Sequence, residues 1–286
     1  MSSLPLRAAT TVSILAPRDR HDALLREQVA PLVRELAVIS SLDAVYFERV
    51  NKPQWGLRIR VLGDGPRFDA EVRFLVRSRL DALAQPFVFV DDEAEDKWVG
   101  GPSDEQFLKK IYHLDSLASL DLMDIEAGGG LATSRAQWSL LVVERLLDLF
   151  GIHGVERLDF YRRGFEWAPT LGRWDAEVFA ALERKLEAQA GALRAAISVG
   201  VGRDVKESWG GAGPAQIADR FLEAARGPVG VLSSPATTRA LGKTPIDLAL
   251  FIAHAHSNRL GIHATQEATI RYLVFRTRGG EGPYAL

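Results

Sequence analysis

The first ninety residues switch repeatedly between two periodicities, and no other feature limits the possible folds as much. Residues 8 to 16 alternate and carry Thr11, Val12 and Ile14, whereas Leu24, Leu25, Val29, Leu32, Val33 and Leu36 recur at helical spacing between Asp19 and Val38. Strand-like runs return over Ala44 to Val50 and Leu57 to Leu62. A helical run then carries Phe68, Val72, Leu75, Val76 and Leu83, and Phe87-Val-Phe-Val90 closes the series. The order β-α-β-β-α-β predicts a split-βαβ, ferredoxin-like sheet with helices on one face. Pro31 predicts a kink in the first helix.

Beyond residue 100 only helical patterns remain: Asp104 to Met123, Ser134 to Phe150, Trp174 to Ile197, Ala215 to Ala225 and Pro245 to Leu260. The expected class is therefore α+β, with a ferredoxin-like subdomain over 1–100 and a helical subdomain over 101–286 packed as one functional unit. Gly128-Gly-Gly130 signals a loop, and Trp209-Gly-Gly-Ala-Gly213 is a candidate mobile flap. No strand-turn-helix surrounds the glycines of 200–213, so a phosphate-binding loop is not expected.

Composition removes several function classes. With 47% hydrophobic residues in 286, the chain can bury a substantial core. Thirty-five basic residues against 37 acidic ones give no global pull toward nucleic acid or anionic lipid. The absence of cysteine excludes disulfides, thiolate catalysis and thiolate-bound metal. The N-terminal apolar run is too short for a signal peptide or a membrane span, so a cytoplasmic protein is expected.

Chemistry-bearing residues concentrate in two places. In the strand over 57–62, Arg58 and Arg60 project to one side while Leu57, Ile59 and Val61 project to the other. Two guanidiniums side by side suit a carboxylate or a developing oxyanion, although an isolated Arg-x-Arg pair is more often the solvated outer face of an edge strand. In the second place, Thr244, Pro245 and Asp247 form an N-cap, first-turn proline and N3 carboxylate that start a helix. On that helix His254 follows Leu250 by one turn and Asn258 follows His254 by another. A partly buried imidazole there can act as a general acid or base, with Asn258 orienting it or a substrate carbonyl; the alternative is a hydrogen-bonded structural histidine. His256 is expected on a different, solvent-facing side. His-x-His on a helix is poor metal geometry with no third ligand evident, so no metal is expected. Asp115 and Ser116 sit in a helical stretch where the acid can serve either an ion pair or a substrate.

These segments resemble the C-terminal elimination domain of class I lanthipeptide dehydratases, a family also described as thiopeptide-type bacteriocin biosynthesis proteins. Tyr46-Phe-Glu-Arg49 and Gly56-Leu-Arg-Ile-Arg60 resemble its aromatic strand and its H-L-R-L-R strand. Lys97-Trp-Val-Gly-Gly101 resembles R-Y-G-G, Phe107 with Asp115-Ser116 resembles F…D-S, and His254 to Leu260 resembles H-M-x-x-N-R-L, followed by the acid Glu267. The resemblance implies action on a ribosomally made precursor peptide with a leader, alongside other enzymes of its pathway and without a redox or nucleotide cofactor. It implies Arg58 and Arg60 as carboxylate-gripping residues, with His254 or a nearby hydroxyl such as Tyr46 handling protons. Substrate contacts are implied for Asn258, Arg259, Lys97, Trp98, Asp115 and Ser116. The arginine strand and the His254 helix are expected to line one cleft, and leader recognition is expected along an exposed strand edge.

The glutamylation domain of full-length dehydratases has no counterpart in these 286 residues. Three functions are therefore implied: formal [4+2] cycloaddition of two dehydroalanines to a pyridine, elimination of glutamate from glutamylated Ser or Thr, or a non-catalytic leader-binding scaffold. Two departures favour cycloaddition. Trp98 stands where R-Y-G-G has arginine, and Gly56 replaces the histidine of H-L-R-L-R. Lys97 cannot reproduce bidentate carboxylate recognition, whereas Trp98 can stack on a thiazole-rich peptide.

Overall fold

The computed structural model describes residues 8–39, 42–51, 54–63, 68–81, 85–90, 102–166, 174–198 and 209–281. Lys97, Trp98, Leu83 and the glycines before Trp209 lie outside them. The chain forms two compact units, Met1–Ala127 and Gly128–Leu286.

The first unit realises the βαββαβ pattern. Strands β1 (Ala8–Leu15), β2 (Leu42–Val50), β3 (Gly56–Gly63) and β4 (Phe87–Val90) form one antiparallel sheet in the order β2-β3-β1-β4. That order is the ferredoxin-like one: β3 lies between the two strands of a split βαβ. Alternation sorts the side chains. Val12, Ile14, Phe47, Leu57, Ile59 and Val61 face a core completed by Leu25, Val29, Val33 and Leu36 and by α3 (Phe68–Leu80). The first helical segment runs as α1 (His21–Leu24), a π turn over Leu25–Val29 and α2 (Ala30–Ala37). The expected disturbance at Pro31 thus takes the form of a widened turn immediately before it, where proline's missing N–H would have interrupted the α ladder.

The break between units falls at Ala127/Gly128, whereas the sequence pattern places it at 100/101. The reason is α4 (Pro102–Ala127), which belongs to the sheet. Leu120 and Met123 enter the first unit's core, and Arg34 of α2 bridges Asp121 and Asp124 at 3.0 and 2.6 Å. Two α4 side chains also satisfy backbone groups on the outer edge of β2. Phe47 N–H donates to Ser116 Oγ at 3.2 Å, and His113 Nδ1 lies 3.2 Å from Val45 N and 2.9 Å from Val45 O. An edge strand is closed by side chains instead of by another strand.

The second unit is helical throughout its described residues: α5 (Arg135–Leu149), α6 (Gly154–Glu166), α7 (Ala176–Ser198), α8 (Ala212–Leu232), α9 (Pro235–Leu241), α10 (Pro245–Arg259) and α11 (Ala264–Thr277). The helical spacing read from the sequence did not include α6, α9 or α11. The start of α10 is as read: Thr244 Oγ1 accepts from Asp247 N–H at 3.2 Å while Asp247 Oδ2 accepts from Thr244 N–H at 2.8 Å. The Trp209 segment differs from the expected flap. Trp209 is buried edge-on to Trp138, Gly210 O accepts from Ala132 N–H, and Gly210 and Gly211 adopt positive φ (82° and 119°) to lead directly into α8. Among the described residues no helix is long and apolar enough to cross a membrane.

Candidate functional site

In the first unit the predicted residues gather on the sheet face opposite the main core. The register places Tyr46 opposite Arg60, Glu48 opposite Arg58, and Thr11 and Ser13 of β1 opposite Arg60 and Arg58. Tyr46 is buried with Ala44 and Leu62, and its ring meets Tyr112 of α4 edge-on at 5.6 Å. Both arginines are half-buried, and their Nε atoms are buried. Asp115 and Ser116 are fully buried on α4, and Ser116 holds the β2 edge as described.

Gly56, the position that departs from H-L-R-L-R, has a structural reason. A Cβ there would stand 2.5 Å from the carbonyl oxygen of Ile14 on β1. The β1–β3 ladder at Leu15↔Gly56 leaves no room for any side chain on this backbone.

In the second unit α10 carries His254, and a neighbour thirteen residues away completes it. His254 Nδ1 lies 2.8 Å from Glu267 Oε2 on α11. The Glu267 carboxylate is buried, and its other oxygen accepts from Arg271 Nη2 one turn later on the same helix. Burial alone would push the Glu267 carboxyl up, but Arg271 and the His254 hydrogen bond outweigh it and hold the group below the usual glutamate range. Facing an ionised carboxylate, Nδ1 carries the proton and donates, which leaves the lone pair of the neutral ring on Nε2. The imidazole itself is 41% exposed. This carboxylate-oriented histidine is the geometry that general acid–base catalysis uses.

Other α10 positions sort differently from expectation. Asn258 is half-buried and Arg259 fully buried. His256, expected at the surface, is fully buried, stacked parallel on Phe221 and tilted against Trp138 at 5.6 Å. It sits where α5, α8 and α10 converge, so the helical wheel of α10 alone could not reveal its cover. One turn before His254, a cavity of about 130 Å3 is lined by Arg163, Asp247, Leu250 and Phe251. No group of three or more His, Asp or Glu residues able to hold a metal occurs among the described residues.

The sequence marks Glu267 only as the acid that follows the His254 to Leu260 segment, and no family motif marks Arg271. Their signal was the Glu267-x-x-x-Arg271 spacing of a helical ion pair.

The family model for the lantibiotic biosynthesis dehydratase C-terminal region matches residues 10–278. The chain belongs to this family. Three solved structures share the dehydratase C-terminal fold with it. They are the tRNA-dependent lantibiotic dehydratase MibB from Microbispora sp. 107891 (TM-score 0.64, 18% identity), TsrL (0.64, 16%) and the pyridine synthase TbtD from thiomuracin biosynthesis (0.66, 15%). The similarity covers 94%, 95% and 94% of this chain and 28%, 94% and 97% of those chains, respectively. The chain thus spans little more than a quarter of the dehydratase's length. No curated protein sequence matches it.

Proposed function

We propose that this member of the dehydratase C-terminal family tailors a ribosomally made peptide by closing a central pyridine from two dehydroalanines. The observation that carries this reading is the half-exposed His254 imidazole backed by the buried Glu267 carboxylate. Cycloaddition requires a peptide amide to be held as its imidic-acid tautomer, so that it presents a 2-azadiene to the second alkene. The cyclic adduct must then lose water and, to aromatise, the leader as its amide. Each step moves a proton to or from oxygen, nitrogen or carbon, and a histidine with a fixed tautomer performs both directions. Holding the two alkenes in contact contributes the remainder by replacing a bimolecular encounter with a bound one.

The arginine face of the sheet, with Tyr46 on it, is assigned to binding the peptide substrate. The cavity before His254 has the volume for one small ring or a branched side chain of the peptide. Trp98 in place of arginine favours cycloaddition over elimination because a departing glutamate needs a bidentate clamp. The paired Arg58 and Arg60 support glutamate elimination as the second reading, since two guanidiniums on one face suit a leaving carboxylate.

Mass spectrometry distinguishes the two. Incubation with a thiazole-containing peptide bearing dehydroalanines should release leader and water, whereas a glutamyl-serine peptide should be untouched. Loss of glutamate from the latter would establish elimination, and inertness toward both would leave a leader-binding scaffold.

A further inference from the structure

Glu267 is held by a side chain whose own path is fixed from a third helix. Arg271 is 5% exposed and extends from α11 across α6. There its Nη1 donates to Gly164 O at 3.3 Å and its guanidinium lies 5.6 Å from the Phe160 ring centroid. Gly164 makes this path possible. A Cβ at that position would lie 2.6 Å from Arg271 Nη1, 2.7 Å from Cδ and 3.2 Å from Cζ, so the guanidinium occupies the space a side chain would take. Gly164 lies in the last turn of α6 at a position where no positive φ is required, and glycine inside a helix is less favourable than alanine. Its role is the room it gives Arg271.

We propose that Arg271 and Gly164 are positioning residues for His254: Gly164 admits Arg271, Arg271 holds Glu267 as a carboxylate, and Glu267 fixes the proton of His254 on Nδ1. The inference rests on reading His254 as the proton-transfer group. The chain of contacts is continuous from the α6 backbone to the exposed ring, and every link is buried except the last. Among the described residues, the charged and titratable groups beside Glu267 and His254 include Arg271 of α11, His256 of the same helix as His254, and Tyr161 of α6. Tyr161 contributes, with Ser139 and Ser257, to a cavity of about 20 Å3 beside Glu267 and Arg271, which is room for one water molecule. Burial holds the Tyr161 phenol neutral, with the Glu144 charge adding to the effect, so it does not compete as a countercharge.

The test reads the histidine directly. Full-length protein carrying 15N-labelled histidine is compared as wild type, Gly164→Ala, Arg271→Lys and Arg271→Met, with His254 assigned by its loss in His254→Gln. At a pH where the ring is neutral, wild type should show a protonated Nδ1 and an unprotonated Nε2. Gly164→Ala, which keeps every charge, and Arg271→Met should each raise the Nε2–H tautomer several-fold, while Arg271→Lys should retain the wild-type pattern in the larger part. An unchanged tautomer in folded Gly164→Ala overturns the proposal. So does an Arg271→Lys protein as perturbed as Arg271→Met, because the retained charge would then have no effect. Should Arg271→Met fail to fold, the other two variants decide. Turnover on the dehydroalanine peptide separates this proposal from the reading beneath it. A shifted tautomer with unchanged turnover refutes the catalytic role of His254, whereas an unshifted tautomer refutes only the positioning.

Discussion

Replacing Glu144 by alanine should destabilise the helical unit by about 3 kcal/mol, and the structure shows where the loss comes from. Glu144 lies in α5 with its side chain 10% exposed, and it accepts from Arg157 Nη1 at 2.9 Å, Arg278 Nη2 at 2.7 Å and Tyr161 OH at 2.5 Å. The three donors respond differently to its removal. Arg157 keeps Asp148 at 2.5 Å and Arg278, 26% exposed, regains water, so neither is stranded as a bare buried charge. Tyr161, only 1% exposed, loses its acceptor altogether. A buried hydroxyl left without a partner costs about 1–3 kcal/mol, and weakened charge-assisted bonds from the two arginines supply the remainder.

For a unit of this size, about 3 kcal/mol corresponds to a fall in Tm of roughly 6–12 °C. Calorimetry on wild type, Glu144→Ala, Tyr161→Phe and the double variant provides the measurement. Because Tyr161→Phe removes the stranded hydroxyl, the double variant should be less destabilised than the sum of the singles by about 1 kcal/mol or more. Additive effects, or a Glu144→Ala cost below about 1 kcal/mol, would refute the reasoning that the hydroxyl carries the penalty.

Four further outcomes are expected. His254→Ala should lower the rate on the active peptide by about 10²–10⁴-fold with little change in Tm, and kinetics with calorimetry checks both. Gly56→Ala should destabilise the first unit by about 1–3 kcal/mol, because the new Cβ meets backbone on β1 instead of a movable side chain; urea denaturation reports the loss. Ser116→Ala should accelerate amide hydrogen exchange at Phe47 relative to Ile59, since only the edge of β2 depends on that hydroxyl. His21 and His113 are both pushed below the ordinary histidine range, chiefly by burial, so the folded state binds fewer protons than the unfolded one. Stability of the first unit should therefore fall as pH drops below about 6.5 toward the folded-state values, and His113→Asn should flatten that slope.

Periodicity along the chain determined the order of strands and helices in the first ninety residues, because alternation and helical spacing are local and a one-sided sheet enforces them. Local chemistry likewise determined the start of α10, where Thr244 and Asp247 satisfy each other's backbone without reference to the rest of the fold. The same locality explains why Arg58, Arg60 and Tyr46 could be placed on one face: adjacent strands in register carry equal parity across the sheet. What lies over a face is not local. Burial of His256 depended on Phe221 and Trp138 from two other helices, and the assignment of α4 to the sheet depended on two side chains reaching the β2 edge. Only tertiary structure brought Glu267 to His254 and threaded Arg271 past Gly164, since a hydrogen bond across helices depends on how they pack, and residue spacing along the chain does not encode that distance.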